Sequence, residues 1–205
     1  MRQQPTDDEL ENLIRELVLP FHEIKRELKL PTRDRNWEND AEHSWSLAFL
    51  ACALAPEIDS SLDVGKIAQL ALVHDLVEVY AGDLPVLKSS TADQISKAQH
   101  EQEALKKIET RFSRFPWIAR TIHDYESKVS AEARFVYALD KYIPVAYDYI
   151  DEGVYLREAK HTKTHYDLAL KTHRTKAHTH PDIGRYYDEI RKKLDAHPEY
   201  FYEES

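Results

Sequence analysis

The run from Ile67 to Asp83, IAQLALVHDLVEVYAGD, is almost wholly apolar, yet it carries His74, Asp75 and Glu78. On a helix, the i, i+4 spacing stacks His74 and Glu78 one above the other with Asp75 beside them. A helix this apolar has to be buried. Buried ionisable groups cost several kcal/mol unless they are paired, hydrogen-bonded or bound to a metal, so an adjacent imidazole and carboxylate in this setting point to a divalent cation. Two further side chains fit the same site. His43 has Leu47 and Leu50 at i+4 and i+7, and Asp140, in RFVYALDKYIPVAY, has Val136, Tyr137 and Ile143 as its helical neighbours. Two imidazoles and two carboxylates suit a borderline or hard divalent ion, with positions left open for water and substrate. A His–Asp dipeptide alone carries little weight, since a second one occurs at His123–Asp124; the set of four carries it.

The elements that must position these residues read as helices. Leu10, Leu13, Ile14, Leu17, Val18, Phe21, Ile24 and Leu28 recur at helical spacing, which predicts an amphipathic helix over 7–29 ended by Pro31. After the polar loop TRDRNWEN, Asp40 is the expected N-cap of a helix bearing His43, Leu47, Leu50 and Leu54 and stopping near Pro56. Ser61 or Asp63 starts the helix of His74, and Gly82 closes it. Thr91 or Asp93 opens a helix to about Phe112, with Ile95, Ala98, Leu105 and Ile108 inward. Pro116 suits a first helical position toward Glu126, and Ser130 begins a long helix kinked at Pro144. Residues 165–176 and 182–195 read as two terminal helices, and no strand alternation with hairpin signals is visible. The expectation is one all-α domain over residues 1–205, with a core of about 33–150 and a helical extension of about 151–205.

Composition narrows the function. A chain of 205 residues can bury a substantial core, and only 4 glycines favour helix over tight turns. A net charge of -9 argues against a nucleic-acid polymer as partner. The single cysteine, Cys52, excludes an internal disulfide, fits a reducing compartment and reads as a small core residue. The start of the chain is unlike a signal peptide. No apolar run reaches the ~18 residues of a membrane span, so a cytoplasmic protein is expected. The segment 157–180 stands out: six basic residues (Arg157, Lys160, Lys163, Lys171, Arg174, Lys176) face Glu158 and Asp167, among five histidines. It reads as a solvated basic face, or a lid attracting an anionic substrate, in preference to a second metal site built on His161 and His165.

The strings ENDAEHSWSLAFLA, ALVHDLVEVYAGD and DYESKVSAEARFVYALDKY, in that order, resemble the HD-domain metal-dependent phosphohydrolases, and among them the 5′-deoxynucleotidase-like branch. The likeness runs from about Arg33 to about Tyr149. The family's H…HD…D pattern falls on His43, His74, Asp75 and Asp140, its following glutamate on Glu78, and the aspartate of its GD pair on Asp83. The resemblance implies an HD-type helical bundle with a buried site for one divalent ion (Mn, Co, Mg, Fe, Ni or Zn). It also implies a homodimer, and hydrolysis of phosphate esters, typically deoxynucleoside 5′-monophosphates. In that chemistry Glu78 positions or deprotonates water or helps protonate the leaving oxygen; the alternative is a brace on the ligand histidine. Asp83 contacts the sugar or relays a proton, the alternative being a turn-former after Gly82. The family supplies an arginine upstream of the EHS motif, and both Arg33 and Arg35 are available; Lys141 could also face phosphate, and Trp37 could stack on a base. Glu42 holds local backbone, and Glu126 and Arg134 do structural work. Two other functions stay open: hydrolysis of a nucleoside triphosphate or other phosphoester, and a nucleotide-binding protein that keeps the metal without turnover.

Overall fold

The computed structural model describes residues 4–83 and 91–203, the side chains of 91–96 excepted. Thr6 and Glu9 form a capping box that starts helix α1 (Asp7–Leu13), and the helical run continues through a π turn (Ile14–Val18) into α2 (Leu19–Glu23). The run therefore ends well short of 29. Ile24 turns extended, and β1 (Lys25–Lys29) pairs antiparallel with β2 (Trp37–Asn39). This two-stranded sheet corrects the expectation of no strands. Ile24, Arg26, Leu28 and Leu30 alternate, which suits a half-buried strand, and Leu28 is buried.

Asn39, one residue before the expected Asp40, caps α3 (Asp40–Ile58) in a reciprocal box with Glu42, and the helix runs on past Pro56. Its buried face is His43, Ser44, Leu47, Ala51 and Ala55, while Leu50 is exposed. Small alanines let the next helix approach closely. That helix is α4 (Val64–Val73), capped by Asp63, and after a turn it is followed by α5 (Glu78–Ala81). Gly82, at φ 78, ends α5 as expected; only a residue without Cβ adopts that conformation at little cost. In α6 (Thr91–Arg111), Leu105 and Ile108 are buried and Ala98 is exposed; its capping side chain and Ile95 lie outside the described side chains.

Next come α7 (Pro116–Ser127) and α8 (Ala131–Ile150), the latter capped by Ser130 and unbroken through Pro144. The chain then forms α9 (Val154–Glu158), α10 (Lys163–Ala169), α11 (His173–Ala177) and α12 (Pro181–Asp195). The single helix expected over 165–176 is two. The break at Leu170, φ -90 and ψ 10, turns Tyr166, His173 and Ala177 all inward. Among the described residues no helix is long and apolar enough to cross a membrane.

Helix α8 joins two of the three buried clusters. Phe135, Val136 and Ile143 pack with Leu47 and Ile67, and Val145 and Ala146 pack with Tyr155, Tyr166, Tyr187 and Leu194. The third cluster joins Leu17 to Val73, Ile108 and Ile122. Each large apolar side chain so enclosed contributes about 1.5–3 kcal/mol. The α9–α12 extension thus packs on the same central helix that carries Asp140.

One buried carboxyl in the second cluster makes stability pH-dependent. The Tyr166 hydroxyl donates to Asp148 Oδ2 at 2.6 Å. Burial pushes the Asp148 pKa up to about 7, against the pull of that hydrogen bond. The fold therefore favours the neutral acid. Its contribution is complete below the unfolded carboxyl value of about 4. It declines as the pH rises and is lost once the pH passes about 7. Asp148→Asn keeps the acceptor for Tyr166 and has no charge to bury. In urea unfolding it should gain on the native protein from about pH 4 upward, by about 4 kcal/mol at pH 7 and above. Parallel curves across that range would show that Asp148 is charged in the fold.

Candidate metal centre

The helix α4 stops at Val73 because of a ligand side chain. His74 Nδ1 lies 2.9 Å from the Ala71 carbonyl, the oxygen an uninterrupted helix would pair with the Asp75 N–H. The chain tightens into i, i+3 bonds instead, Leu76 N–H to Val73 O and Glu78 N–H to Asp75 O. With Nδ1 on the Ala71 carbonyl, Nε2 is the ring atom left to face the cluster. It is buried and satisfies no hydrogen bond, yet it faces Asp75 Oδ2 at 3.0 Å and Asp140 Oδ1 at 3.9 Å. Three electron-rich atoms converging in a buried place call for a cation.

His43, from α3, completes the group. Its Nε2 is 3.0 Å from Asp140 Oδ1, and its Nδ1 is 3.3 Å from Glu38 Oε2. Burial opposes charge on this ring, but hydrogen bonds to Asp140 and Glu38 outweigh it and raise its pKa to about 9. Glu38, at Nδ1, fixes the orientation that leaves Nε2 toward Asp140 and the cluster. Ligand atoms of His43, His74 and Asp75 all lie within 4.8 Å of one another. This buried His/His/Asp cluster suits one divalent ion. It is the group of three or more potential ligands found among the described residues; His161 and His165, Nδ1 to Nδ1 3.2 Å, do not gather a third.

Charge around the cluster is dense. Burial would raise the Asp140 pKa, but Lys141, His43 and His74 hold it well below the usual carboxylate range. Asp75 is likewise depressed, burial being outweighed by His74 and Arg26. Arg26, on β1, reaches Asp75 Oδ2 at 2.8 Å, Glu38 at 3.3 Å and Asp40 at 3.4 Å. Glu78 is buried and bonds Lys97 at 2.8 Å, so its partner is a lysine of α6; His74 is braced by Ala71. Burial and the nearby charges of Asp75 and Asp83 push the Glu78 pKa well above its ordinary value, with Lys97 opposing. Asp83 sits 3.9 Å from the same Lys97. A cleft of about 310 Å³ opens beside the cluster, lined in part by His74, Asp75, Asp140, Lys97, Lys141 and Lys176.

The hairpin residues lie elsewhere. Arg33 is exposed, Arg35 pairs with Asp151 and, at 3.6 Å, with Glu158, and Trp37 packs edge-on against Tyr155 with centroids 6.0 Å apart. None of the three lines the cleft; Lys141 does, and it pairs with Asp140. Arg26 and Glu38 are the site residues that sequence reading passed over. The period-2 alternation of 24–30 would have placed Arg26 on the inward face with Leu28.

Comparison with known proteins gives the class. A family profile described as HD domain matches residues 21–182, and the chain belongs to the HD-domain family. It is 31% identical over 109 residues to a 5′-deoxynucleotidase of Homo sapiens, covering 51% of this chain and 50% of that protein. It is 38% identical over 80 residues to a 5′-deoxynucleotidase of Pectobacterium atrosepticum, covering 37% and 39%. The chain thus spans about half the length or less of the curated relatives it matches. Among solved structures, a predicted metal-dependent phosphohydrolase from Magnetospirillum magnetotacticum superposes with a TM-score of 0.75 at 25% identity, over 96% of this chain and 95% of that one. A conserved hypothetical protein from Pyrococcus furiosus shares the fold, with a TM-score of 0.60 at 22% identity over 93% and 99% of the two chains.

Proposed function

We propose that this protein is a metal-dependent hydrolase releasing phosphate from nucleoside 5′-monophosphates, deoxynucleotides among them. The observation that carries the reading is His74 Nε2, which satisfies no hydrogen bond and is aimed with His43, Asp75 and Asp140 at one point beside a cleft lined by lysines and carboxylates. Similarity to 5′-deoxynucleotidases supports the substrate class. His43, His74, Asp75 and Asp140 would hold the ion. When bound, it lowers the pKa of a coordinated water and polarises a phosphoryl oxygen.

The chain's own residues do the rest. Ala71 and Glu38 fix the orientations of the two histidines. Arg26 holds Asp75 in place and offsets part of the carboxylate charge. Lys141 lies where it can balance the phosphate dianion. Glu78, with a raised pKa and a free Oε2, takes a proton from the attacking water or returns one to the leaving oxygen, and Asp83 shares its lysine. Phosphate release from a panel of deoxy- and ribonucleoside 5′-monophosphates, triphosphates and an aryl phosphate tests this. The protein is first stripped with chelator, and Mn, Co or Mg is then restored. Release from monophosphates only with metal present is expected. No release under any metal, with one ion bound, would leave a nucleotide-binding role in its place.

A further inference from the structure

The basic segment at 157–180 reaches the cleft through α11. His173 and Lys176, at i and i+3, share one face of that helix, and Thr172 precedes it; all three line the cleft beside His74, Asp75 and Asp140. Four lysines line the cleft, and three have carboxylate partners: Lys97 with Glu78 at 2.8 Å, Lys128 with Glu126 at 3.3 Å, and Lys141 with Asp140. Lys176 is half-buried, and its ammonium group makes neither ion pair nor hydrogen bond with any described residue; its hydrogen bonds, to Thr172 and Thr179, are made by its backbone. Burial lowers its pKa, and the charges of Lys141, Lys97 and Lys128 lower it further, with Asp140 opposing. An ammonium group placed out of full contact with water, near three others and without a counter-ion, is a local conflict that an anionic ligand removes.

His173 supplies a second sign. It is 5% exposed, and its Nδ1 has no hydrogen-bond partner. Burial and the charges of Lys141 and Lys176 bring its pKa down to about 3, so it is neutral at working pH and adds no further repulsion. A neutral ring keeps one N–H to donate. An ammonium, an imidazole and a hydroxyl on one stretch of chain make a site for oxyanions. In the hydrolase reading, the scissile phosphate would face Lys141 at the end of the cleft that holds His74, Asp75 and Asp140. The lining's other lysines are paired with carboxylates, so the Lys176 ammonium is the one left to meet a second anionic group.

We propose that Lys176, His173 and Thr172 form an anion subsite that takes a second phosphate group of the substrate, so that the preferred substrate is a phosphomonoester carrying another phosphate. The subsite rests on the hydrolase reading only for where the scissile phosphate lies. A cleft of about 310 Å³ is of the size small ligands occupy.

The test compares 2′-deoxyadenosine 5′-monophosphate with 2′-deoxyadenosine 3′,5′-bisphosphate, using Mn-loaded native protein, Lys176→Met and Lys176→Arg. The methionine variant should raise KM for the bisphosphate at least about tenfold, leave KM for the monophosphate within about twofold and leave kcat unchanged on both. The arginine variant should restore most of the difference. Equal rises on both substrates would place Lys176 on the scissile phosphate, and no rise on either would make it a solvated lysine; each overturns the subsite. Calorimetric titration of both nucleotides into chelator-treated protein separates this from the hydrolase reading. Lys176-dependent preference for the bisphosphate without turnover would retain the subsite and remove the hydrolase. Turnover without that preference would do the reverse.

Discussion

His74→Ala and Asp140→Asn, stripped with chelator and re-exposed to Mn2+, retain no stoichiometric ion and release phosphate at least about a thousandfold more slowly than the native protein. Each substitution removes one of the four converging groups, and they do so in different ways. His74→Ala deletes the ring nitrogen that faces Asp75 at 3.0 Å and Asp140 at 3.9 Å. It also frees the Ala71 carbonyl, so the helix can continue past Val73 and swing Asp75 off its present direction. Asp140→Asn keeps the shape and can still accept from His43, but it removes a negative charge that burial makes costly and that Lys141 and His43 hold in place. The pair thus separates loss of a ligand from loss of local structure. Far-UV circular dichroism checks that both fold, and elemental analysis counts the metal. One ion per chain retained by both variants would remove these residues from the site.

Glu78→Gln should behave oppositely: the metal stays and turnover falls by about 10²–10⁴, with KM nearly unchanged. Glu78 is only 3% exposed, its Oε1 bonds Lys97, and its Oε2 has no partner. Burial, Asp75 and Asp83 raise its pKa well above that of a free glutamate. A carboxyl so placed holds a proton more readily than a free glutamate, which suits it to a general acid or base. Glutamine keeps the bond to the site in shape but cannot exchange that proton, so the limb of the pH–rate profile governed by Glu78 should vanish. A near-normal rate with an unchanged profile would reduce Glu78 to an anchor for Lys97.

The four proposed ligand residues stand out in the sequence because each is a charged or imidazole group in an apolar run, where packing alone gives it no reason to be; the structure gathers His43, His74 and Asp75 as one cluster, with Asp140 against both histidines. The elements around them are legible to differing degrees. The caps Asp63, Ser130 and Gly82 act through local backbone geometry and stand where expected. The buried face of α3 is not legible, because the helix is apolar nearly all round. Trp45 and Phe49 are 67% and 61% exposed, stacked on each other, while Ala51 and Ala55 are fully enclosed. Arg26 escapes because Ile24 and Leu28 also fit the helical spacing of 7–29, which masks their period-2 alternation, and Glu38 because its short strand is defined only by pairing with β1. The break after Val73 escapes because its cause is a side chain competing for a backbone carbonyl. Lys176 is legible only as one of the six basic residues of 157–180; which of them reaches the cleft is set by the packing of α11 on α8.

The pairing of His43 with Asp140 closes a stretch of 97 residues. Bringing such distant points together costs the unfolded chain about 4 kcal/mol in closure entropy beyond a constant, so the pairing is expected among the late steps of folding. A chain leaving the ribosome presents His43, His74 and Asp75 well before Asp140 has been made, and domains fold as units while synthesis proceeds. Until α8 docks, three of the four groups belong to a mobile chain with no fixed geometry to hold an ion. Metal capture therefore reports that the whole stretch from α3 to α8 has assembled, and an ion added during refolding should bind with the final native phase rather than with early helix formation.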